Sequence, residues 1–247
     1  MFKIYDLTSF KNKPDWFTNN SKVAGITYPQ FFYEDKTKIK IELPGKDYYK
    51  DYIRRKTANK DWDFLVIDHE VWINDAKDLE NDELRNKAIR DLSMFLKWAR
   101  EANHTKIKYG LYTIPPIRNY WGALKNDYRW HQQNDYLKEL AIYCDIIFPS
   151  LYTFYDDKEG WVEYATKNID QARQYMKPVI PFLWPRYHSS NSELGMNFID
   201  HDFWLTQLLT CYHNSDGIVI WDPKKDEFPT MDSGFYTATK EFMEINS

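Results

Sequence analysis

Short apolar runs alternate with longer amphipathic stretches along this chain, and this alternation limits the possible folds more than any other feature. The runs with the length and composition of strands are residues 22–32, 38–43, 63–68, 106–114, 144–153, 177–184 and 216–222. The stretches typical of helices are residues 79–102, 132–144, 162–176 and 200–214. In the first of these, Leu84, Ala88 and Leu92 recur at helical spacing. Strands that alternate with helices predict βα units and a parallel sheet.

The strand-like runs also indicate how the sheet closes. FLVI (64–67) and GIVI (217–220) are continuously apolar, as strands are when both faces of a parallel sheet are covered. Seven strand-like runs in one series favour a closed α/β fold, a (β/α) TIM-like barrel of about seven to eight parallel strands. An open doubly wound sheet gives a similar pattern. Because the chain has 247 residues, we expect a single catalytic domain over residues 1–247.

Charge and composition exclude several classes of function. The formal net charge is −4 and the pI is about 5.9, so we expect no binding to nucleic acid or to an anionic membrane surface. No apolar run approaches the ~18 residues of a membrane span. The N-terminus lacks the apolar core of a secretion signal, so the chain is expected to be cytoplasmic or the mature form of a secreted protein.

Motifs for cofactors and metals are missing from the sequence. It contains neither GxGxxG nor a P-loop, and its histidines form no HxH or HExxH pair, so we expect no cofactor and no metal. Cys144 and Cys211 lack the spacing of a zinc site, and the sequence leaves open whether they form a disulfide. The sequence leaves the oligomeric state open as well.

The carboxyl ends of the predicted strands carry the candidates for function, because the active site of a βα barrel lies there. These candidates are Asp68, Glu70, Tyr112, Tyr152, Trp184, Arg186, Tyr187, Trp221 and Asp222. Aromatic residues make up 18% of the chain, and flat rings beside polar groups suit a sugar. A large aromatic core would also account for this excess.

Asp68 and Glu70 suggest the chemistry. Because side chains alternate along a strand, both carboxyl groups point to one face and His69 points to the other. Two carboxyl groups so close cannot both ionise freely, so one pKa rises and leaves a proton donor beside a carboxylate. Cleavage of a glycosidic bond needs such a pair. The competing interpretation is a strand end with two solvated charges.

Five strand-end motifs, in their order along the chain, give this sequence a family resemblance. They are VIDHEVW, YGLYTIPPIRN, IIFPSLYT, IPFLWPRYH and GIVIWD. Over about residues 23–240 the chain resembles the hyaluronidase-type glycoside hydrolases, whose fold is a barrel of about seven strands. Trp72 matches a tryptophan that follows the two acids of that family, whereas His69 replaces an aromatic residue between them.

The resemblance implies a role for each matching residue. Glu70 falls on the catalytic acid/base, and Asp68 on the residue that orients the acetamido group of the substrate. Tyr112 and Tyr152 fall on tyrosines that line the cleavage subsite, and Trp221 on the tryptophan that forms its floor. The implied reaction is retaining hydrolysis of β-N-acetylhexosaminides in hyaluronan or chondroitin, with the acetamido oxygen of the substrate as nucleophile. We also expect contacts to the polysaccharide or oligosaccharide from Trp184, Tyr187, Arg186 and Asp222.

The chain departs from the family in ways that bear on the substrate. His69 is expected to pack against the helix layer. The substrates of the family are polyanions, whereas this chain is mildly acidic. Its candidates for a local cationic groove are Arg118, Arg186, Lys224 and Lys225, each of which would otherwise be a solvated surface charge.

Three alternatives remain open at this point. A sugar-binding barrel without catalysis would keep the aromatic residues but would not need Glu70. A metal-dependent hydrolase would use Asp68, Glu70 and Asp222 together with histidines. A glycosidase of the same fold would act on a different N-acetylhexosamine glycan.

Overall fold

The structure is a computed structural model, and it describes residues 2–29, 43–73, 76–102 and 106–246. In these residues the strands are β1 (Lys3–Thr8), β2 (Lys22–Val23), β3 (Gly25–Thr27), β4 (Phe64–Ile67), β5 (Lys108–Leu111), β6 (Phe182–Leu183) and β7 (Gly217–Asp222). The α-helices are α1 (Asp15–Asn20), α2 (Lys46–Thr57), α3 (Asp82–Ala102), α4 (Tyr120–Leu124), α5 (Tyr128–Tyr136), α6 (Lys138–Ala141), α7 (Lys158–Arg173), α8 (His201–Asn214) and α9 (Gly234–Ile245). A short 3-10 helix covers Ala76–Leu79. No helix in the described ranges is long and apolar enough to cross a membrane.

Most of the predicted elements are present, with different bounds. Strands β2 to β7 all lie within predicted runs, whereas β1, α1, α2, α4 and α9 were not predicted. The predicted helix over residues 132–144 is divided between α5 and α6, and α5 begins earlier. Residues 144–153 make only single bridges, to Tyr112, Phe182 and Tyr187. The predicted strand over residues 38–43 lies, except for residue 43, outside the described residues.

The described chain falls into two compact units. We call Ala24–Pro149 with Gln171–Pro178 the acid unit, because it contains Asp68 and Glu70. We call Met1–Val23 with Ser150–Asp170 and Val179–Ser247 the aromatic unit. Cys144, in the acid unit, and Cys211, in the aromatic unit, are both buried free thiols, so the question of their pairing is settled.

The acid unit contains a parallel sheet of three strands in the order β3-β4-β5. All four residues of β4 are buried, which explains why FLVI is continuously apolar. Gly110 in β5 allows a close approach, because a Cβ at this position would lie 2.7 Å from the ring of Phe148. Helix α3 buries Ala88, Leu92, Phe95 and Ala99 of the face that its apolar spacing predicts. Leu84, in the first turn, is instead 61% exposed, so the predicted face begins one turn too early.

The aromatic unit contains a second parallel sheet, in the order β2-β1-β7-β6. The longest pairing joins β1 and β7 over six residue pairs, from Lys3 opposite Gly217 to Thr8 opposite Asp222. Strand β6 adds Leu183 opposite Ile220. The carboxyl ends of these parallel strands therefore lie at one edge of the sheet, beside Trp184 and Trp221.

Candidate active site

Asp68 lies directly after β4, at the carboxyl end of the sheet in the acid unit. The backbone N–H of Asp68 donates a hydrogen bond to the carbonyl oxygen of Thr27 at 2.8 Å. On the other side, the N–H of Tyr112 donates to the carbonyl of Ile67 at 3.0 Å. These two bonds extend the parallel pairing one residue past the strand, so the position of Asp68 is set by both neighbouring strands.

Asp68 lies in an environment that disfavours its charged form. Its side chain is buried, and Oδ1 has no hydrogen-bond partner among the described residues. Burial, and secondly the charge of Glu70, raise the pKa of Asp68 to about 8. Asp68 is therefore a neutral carboxylic acid at neutral pH.

Glu70 is the more accessible member of the pair. It is only partly buried. Burial raises the pKa of Glu70, while the positive charge of Arg118 acts in the opposite direction. Arg118, a predicted member of a cationic groove, is thus close enough to affect the electrostatics of Glu70. A carboxylic acid and a partly solvated carboxyl group then stand two positions apart, an arrangement suited to acid/base chemistry.

His69 packs against the helix layer, as the alternation of side chains predicts. Its ring centre lies 4.3 Å from that of Trp72 and 5.3 Å from that of Phe95 in α3, both in edge-to-face geometry. Burial lowers the pKa of His69 to about 3, so the imidazole is neutral in this apolar environment. The replacement of an aromatic residue by His69 therefore preserves ring packing behind the two acids.

Tyr112 is buried at the end of β5 and is followed by an unusual backbone conformation. Thr113 has a φ of 64°, which β-branched residues rarely adopt. Its N–H donates to the carbonyl of Phe148 at 2.9 Å, and this bond holds the chain in the turn. Strained conformations of this kind tend to occur at functional sites. Nothing in the sequence signals this feature, since Thr113 reads as an ordinary strand residue.

Three rings of the aromatic unit form a cluster that we call the aromatic ledge: Tyr152, Trp184 and Trp221. The rings of Tyr152 and Trp221 are stacked, with centres 5.6 Å apart and planes inclined by 16°. Trp184 meets Trp221 edge to face at 5.3 Å. Trp221 is the most exposed of the three, while the other two are buried around it. The structure thus brings together three residues that the sequence predicts to bind sugar.

The two other predicted contacts that follow β6 make strong interactions inside the aromatic unit. The hydroxyl of Tyr187 donates to Asp156 Oδ1 at 2.6 Å. Arg186 Nε donates to Asp222 Oδ2 at 2.6 Å, and the Asp222 side chain is fully buried. These placements favour a supporting role for Arg186 and Asp222, and their predicted contact with a substrate stays a prediction.

We next consider whether side chains of the described residues could bind a metal ion. In residues 2–29, 43–73, 76–102 and 106–246, no group of three or more His, Cys, Asp or Glu side chains is arranged to hold a metal ion. Asp68, Glu70 and Asp222, the ligands considered for a metal-dependent hydrolase, belong to no such group.

Comparison with known proteins identifies the fold. No family profile matches the sequence, and no curated protein is similar enough in sequence to be counted as a relative. Among solved structures, bee venom hyaluronidase matches 99% of this chain and 100% of its own, at 13% identity and a TM-score of 0.68. The same enzyme in complex with a hyaluronic acid tetramer matches 90% of each chain, at 14% identity and a TM-score of 0.68.

A third similar structure is a proposed alpha-L-fucosidase from Bacteroides thetaiotaomicron, with 11% identity and a TM-score of 0.53 over 99% of this chain and 95% of that one. These similarities show that the chain has a hyaluronidase-like fold. They confirm the α/β fold class predicted from the sequence, a TIM-like barrel with parallel strands.

Proposed function

We propose that this chain is a glycoside hydrolase that cleaves β-N-acetylhexosaminide linkages by retaining, substrate-assisted catalysis. The observation that carries the proposal is the pair Asp68 and Glu70, in which burial and mutual repulsion raise the pKa of Asp68 to about 8. The pair therefore retains a proton at neutral pH, and a departing glycosidic oxygen needs a proton. The hyaluronidase-like fold supports the same class of reaction.

Glu70 is the proposed acid/base, because it is the more accessible of the two groups. The two carboxyl groups titrate as a coupled pair, so their proton is available to Glu70 when a glycosidic oxygen approaches. Glu70 protonates this oxygen as the glycosidic bond breaks, and as a carboxylate it later takes a proton from the attacking water. Once Glu70 has given this proton to the leaving oxygen, Asp68 is a carboxylate. It accepts a hydrogen bond from the acetamido N–H and offsets the positive charge of the oxazolinium ion.

The acetamido oxygen of the substrate is the proposed nucleophile, because the two acids are poorly arranged for the common alternatives. Asp68 and Glu70 are two positions apart in the chain, directly after the end of β4. Acids that work from opposite sides of a sugar ring require a different placement. Substrate assistance needs no protein nucleophile, so two acids that follow the end of one strand can serve the whole reaction.

The remaining predicted site residues have proposed roles that follow from their own surroundings. Tyr112, beside Asp68 in the acid unit, would donate its hydroxyl to the acetamido carbonyl and hold it for attack. In the aromatic unit, Trp221 is partly exposed and would stack on a sugar, with Tyr152 and Trp184 supporting it. The substrate is an oligosaccharide or polysaccharide that contains N-acetylhexosamine, and hyaluronan and chondroitin are the first candidates.

The test is product analysis by mass spectrometry. The wild-type protein, Glu70→Gln and Asp68→Asn are incubated with hyaluronan, chondroitin and neutral N-acetylhexosamine oligosaccharides. Glu139→Gln and Asp61→Asn serve as matched controls, since both residues are acids at exposed positions. We expect saturated products with new reducing ends from the wild type and both controls, and a loss of turnover of about 100-fold or more in the two site variants.

Other outcomes would change the proposal in definite ways. Unsaturated products would indicate a lyase and contradict the mechanism. Cleavage of the neutral oligosaccharides alone would keep the mechanism and assign a different glycan. Binding without cleavage of any substrate would favour the sugar-binding barrel. Turnover by Glu70→Gln within a few-fold of the wild type would remove Glu70 from its role.

A further inference from the structure

The ion pair between Arg186 and Asp222 joins two residues that closely follow Trp184 and Trp221 of the aromatic ledge in the chain. We propose that Arg186 is a positioning residue: by holding Asp222, it fixes the Trp221 ring against Trp184 and so shapes the ring face offered to a sugar. The sugar-binding part of this inference rests on the proposed function. Its structural part concerns the geometry of the ledge and can be tested without any activity.

The guanidinium of Arg186 is directed into the protein. Besides its bond to Asp222, Nη1 donates to the carbonyl of Met196 at 3.1 Å, and Nη2 donates to Asp226 Oδ2 at 3.2 Å. Its central carbon lies 3.8 Å from the ring centre of Phe198. Since the side chain is 7% exposed and its donors point at protein oxygens, its function is to connect segments of the chain.

One of these segments is a hairpin that begins directly after Trp184. Arg186 pairs with Phe198 in an antiparallel bridge. The N–H of Tyr187 donates to the carbonyl of Asn197, and the N–H of Met196 donates back to Tyr187, each at 3.0 Å. The bond from Arg186 to Met196 closes the same hairpin by a side chain. Arg186 is therefore fixed to the segment that carries Trp184.

The other segment is the end of β7, which carries Trp221. Asp222 Oδ1 accepts the N–H of Lys224 at 2.9 Å while Oδ2 accepts from Arg186, so both of its oxygens are engaged. Side chains alternate along β7, so Asp222 points away from the face that carries Trp221. Asp222 can therefore act on the Trp221 ring only through the backbone. If Arg186 no longer holds Asp222, one of the interactions that keep the Trp184 and Trp221 rings at their interplanar angle of 71° is lost.

A double substitution separates positioning from simple stabilisation. Arg186→Met leaves the Asp222 carboxylate buried without its cation, so the melting temperature should fall. In Arg186→Met/Asp222→Asn no buried charge is left unpaired, so most of the loss in melting temperature should be recovered. Asp226 also loses a partner, but it is 57% exposed and can be hydrated. If the pair only stabilises the fold, the double variant should also have the spectrum and the sugar affinity of the wild type.

Two readouts decide between these possibilities. The first is near-ultraviolet circular dichroism, which reports the coupling of the ledge rings. The second is the affinity for a hyaluronan tetrasaccharide and for chitotetraose, followed by tryptophan fluorescence. We expect the double variant to retain an altered spectrum and to bind the probe about tenfold more weakly, which corresponds to ~1.4 kcal/mol. A double variant with a wild-type spectrum would overturn the proposal.

The matched control is the pair of Lys13 and Asp6, which is also shielded from solvent in the aromatic unit, with side chains 18% and 5% exposed. Lys13→Met/Asp6→Asn should keep the spectrum and the affinity of the wild type. An equal spectral change in this control would contradict a specific role for Arg186. If the wild type binds neither probe, the proposed function loses support, while the spectra still test the positioning role.

Discussion

The backbone N–H of Tyr112 donates to the carbonyl oxygen of Ile67 at 3.0 Å, and this bond places Tyr112 beside Asp68. Thr113, in a left-handed conformation, then turns the chain away. The strand pairing fixes the position of Tyr112 relative to Asp68 along the strand direction, and the turn at Thr113 fixes where β5 ends. A tyrosine hydroxyl held by the backbone in this way costs little reorganisation when it binds a substrate.

Tyr112→Phe removes the hydroxyl and keeps the buried ring, so the protein should still fold while catalysis suffers. We expect kcat to fall by about 100-fold, as for the loss of one donor to a developing charge. Steady-state kinetics on the substrate found by product analysis measure this change. Tyr128→Phe, at a residue that is 78% exposed, should behave as the wild type, and an equal loss there would rule out a specific role for Tyr112.

The raised pKa of Asp68 makes stability depend on pH. The folded pKa is about 8 against an ordinary value of 3.8, so between these values the folded state binds a proton that the unfolded state has released. The stabilisation is complete below the unfolded pKa and is lost as the pH rises through the folded pKa, at up to about 1.4 kcal/mol per pH unit. Urea unfolding of wild type and Asp68→Asn should show this slope only in the wild type.

His69 should contribute the opposite slope. Burial lowers its pKa from 6.5 to about 3, so below pH 6.5 the unfolded state binds a proton that the folded state does not. Stability is then lost as the pH falls, and between about pH 4 and 6.5 this loss offsets the gain from Asp68. His69→Phe should keep the ring packing and lose the acidic slope. A slope that persists in His69→Phe would assign it to another group.

Trp221→Ala should weaken sugar binding more than it weakens the fold, because Trp221 is the most accessible ring of the ledge. We expect KM to rise about tenfold, which corresponds to ~1.4 kcal/mol. Trp121→Ala is the matched control, at a tryptophan that is 54% exposed in the acid unit. Equal effects from both substitutions would mean that the ledge has no special part in binding.

Phe95 in α3 is the ring on which the segment behind the acids packs. It stacks on Trp72 at 5.6 Å, and it contacts Tyr49 at 5.0 Å and His69 at 5.3 Å. Phe95→Ala should reduce the free energy of unfolding by about 3–5 kcal/mol, since a fully buried ring leaves a cavity. Phe95→Leu should cost clearly less. A loss below about 1 kcal/mol for Phe95→Ala would show that the segment has other support.

Physical reasons explain why the sequence analysis did not predict some elements correctly. In β1 the sequence KIYDLT carries the buried Asp6, which is acceptable because Lys13 pairs with it and Thr8 donates two hydrogen bonds to it. Helix α2 is rich in charge, and only Tyr49, Ile53 and Thr57 mark its buried face. Residues 144–153 have the composition of a strand, but Pro149 has no N–H to donate to a ladder.

The sequence by itself determined which chemical groups stand at the strand ends and in what order. Apolar runs and helical spacing reflect burial that is local and periodic, so the fold class, β4 and the pair Asp68 and Glu70 could all be read from it. Only the tertiary structure decided that Arg186 binds Asp222, that Thr113 adopts a strained turn and that Asp68 rather than Glu70 is the deeper acid. These properties depend on partners distant in the sequence and on the depth of burial, since a pKa responds to the surrounding solvent and charge rather than to the local sequence.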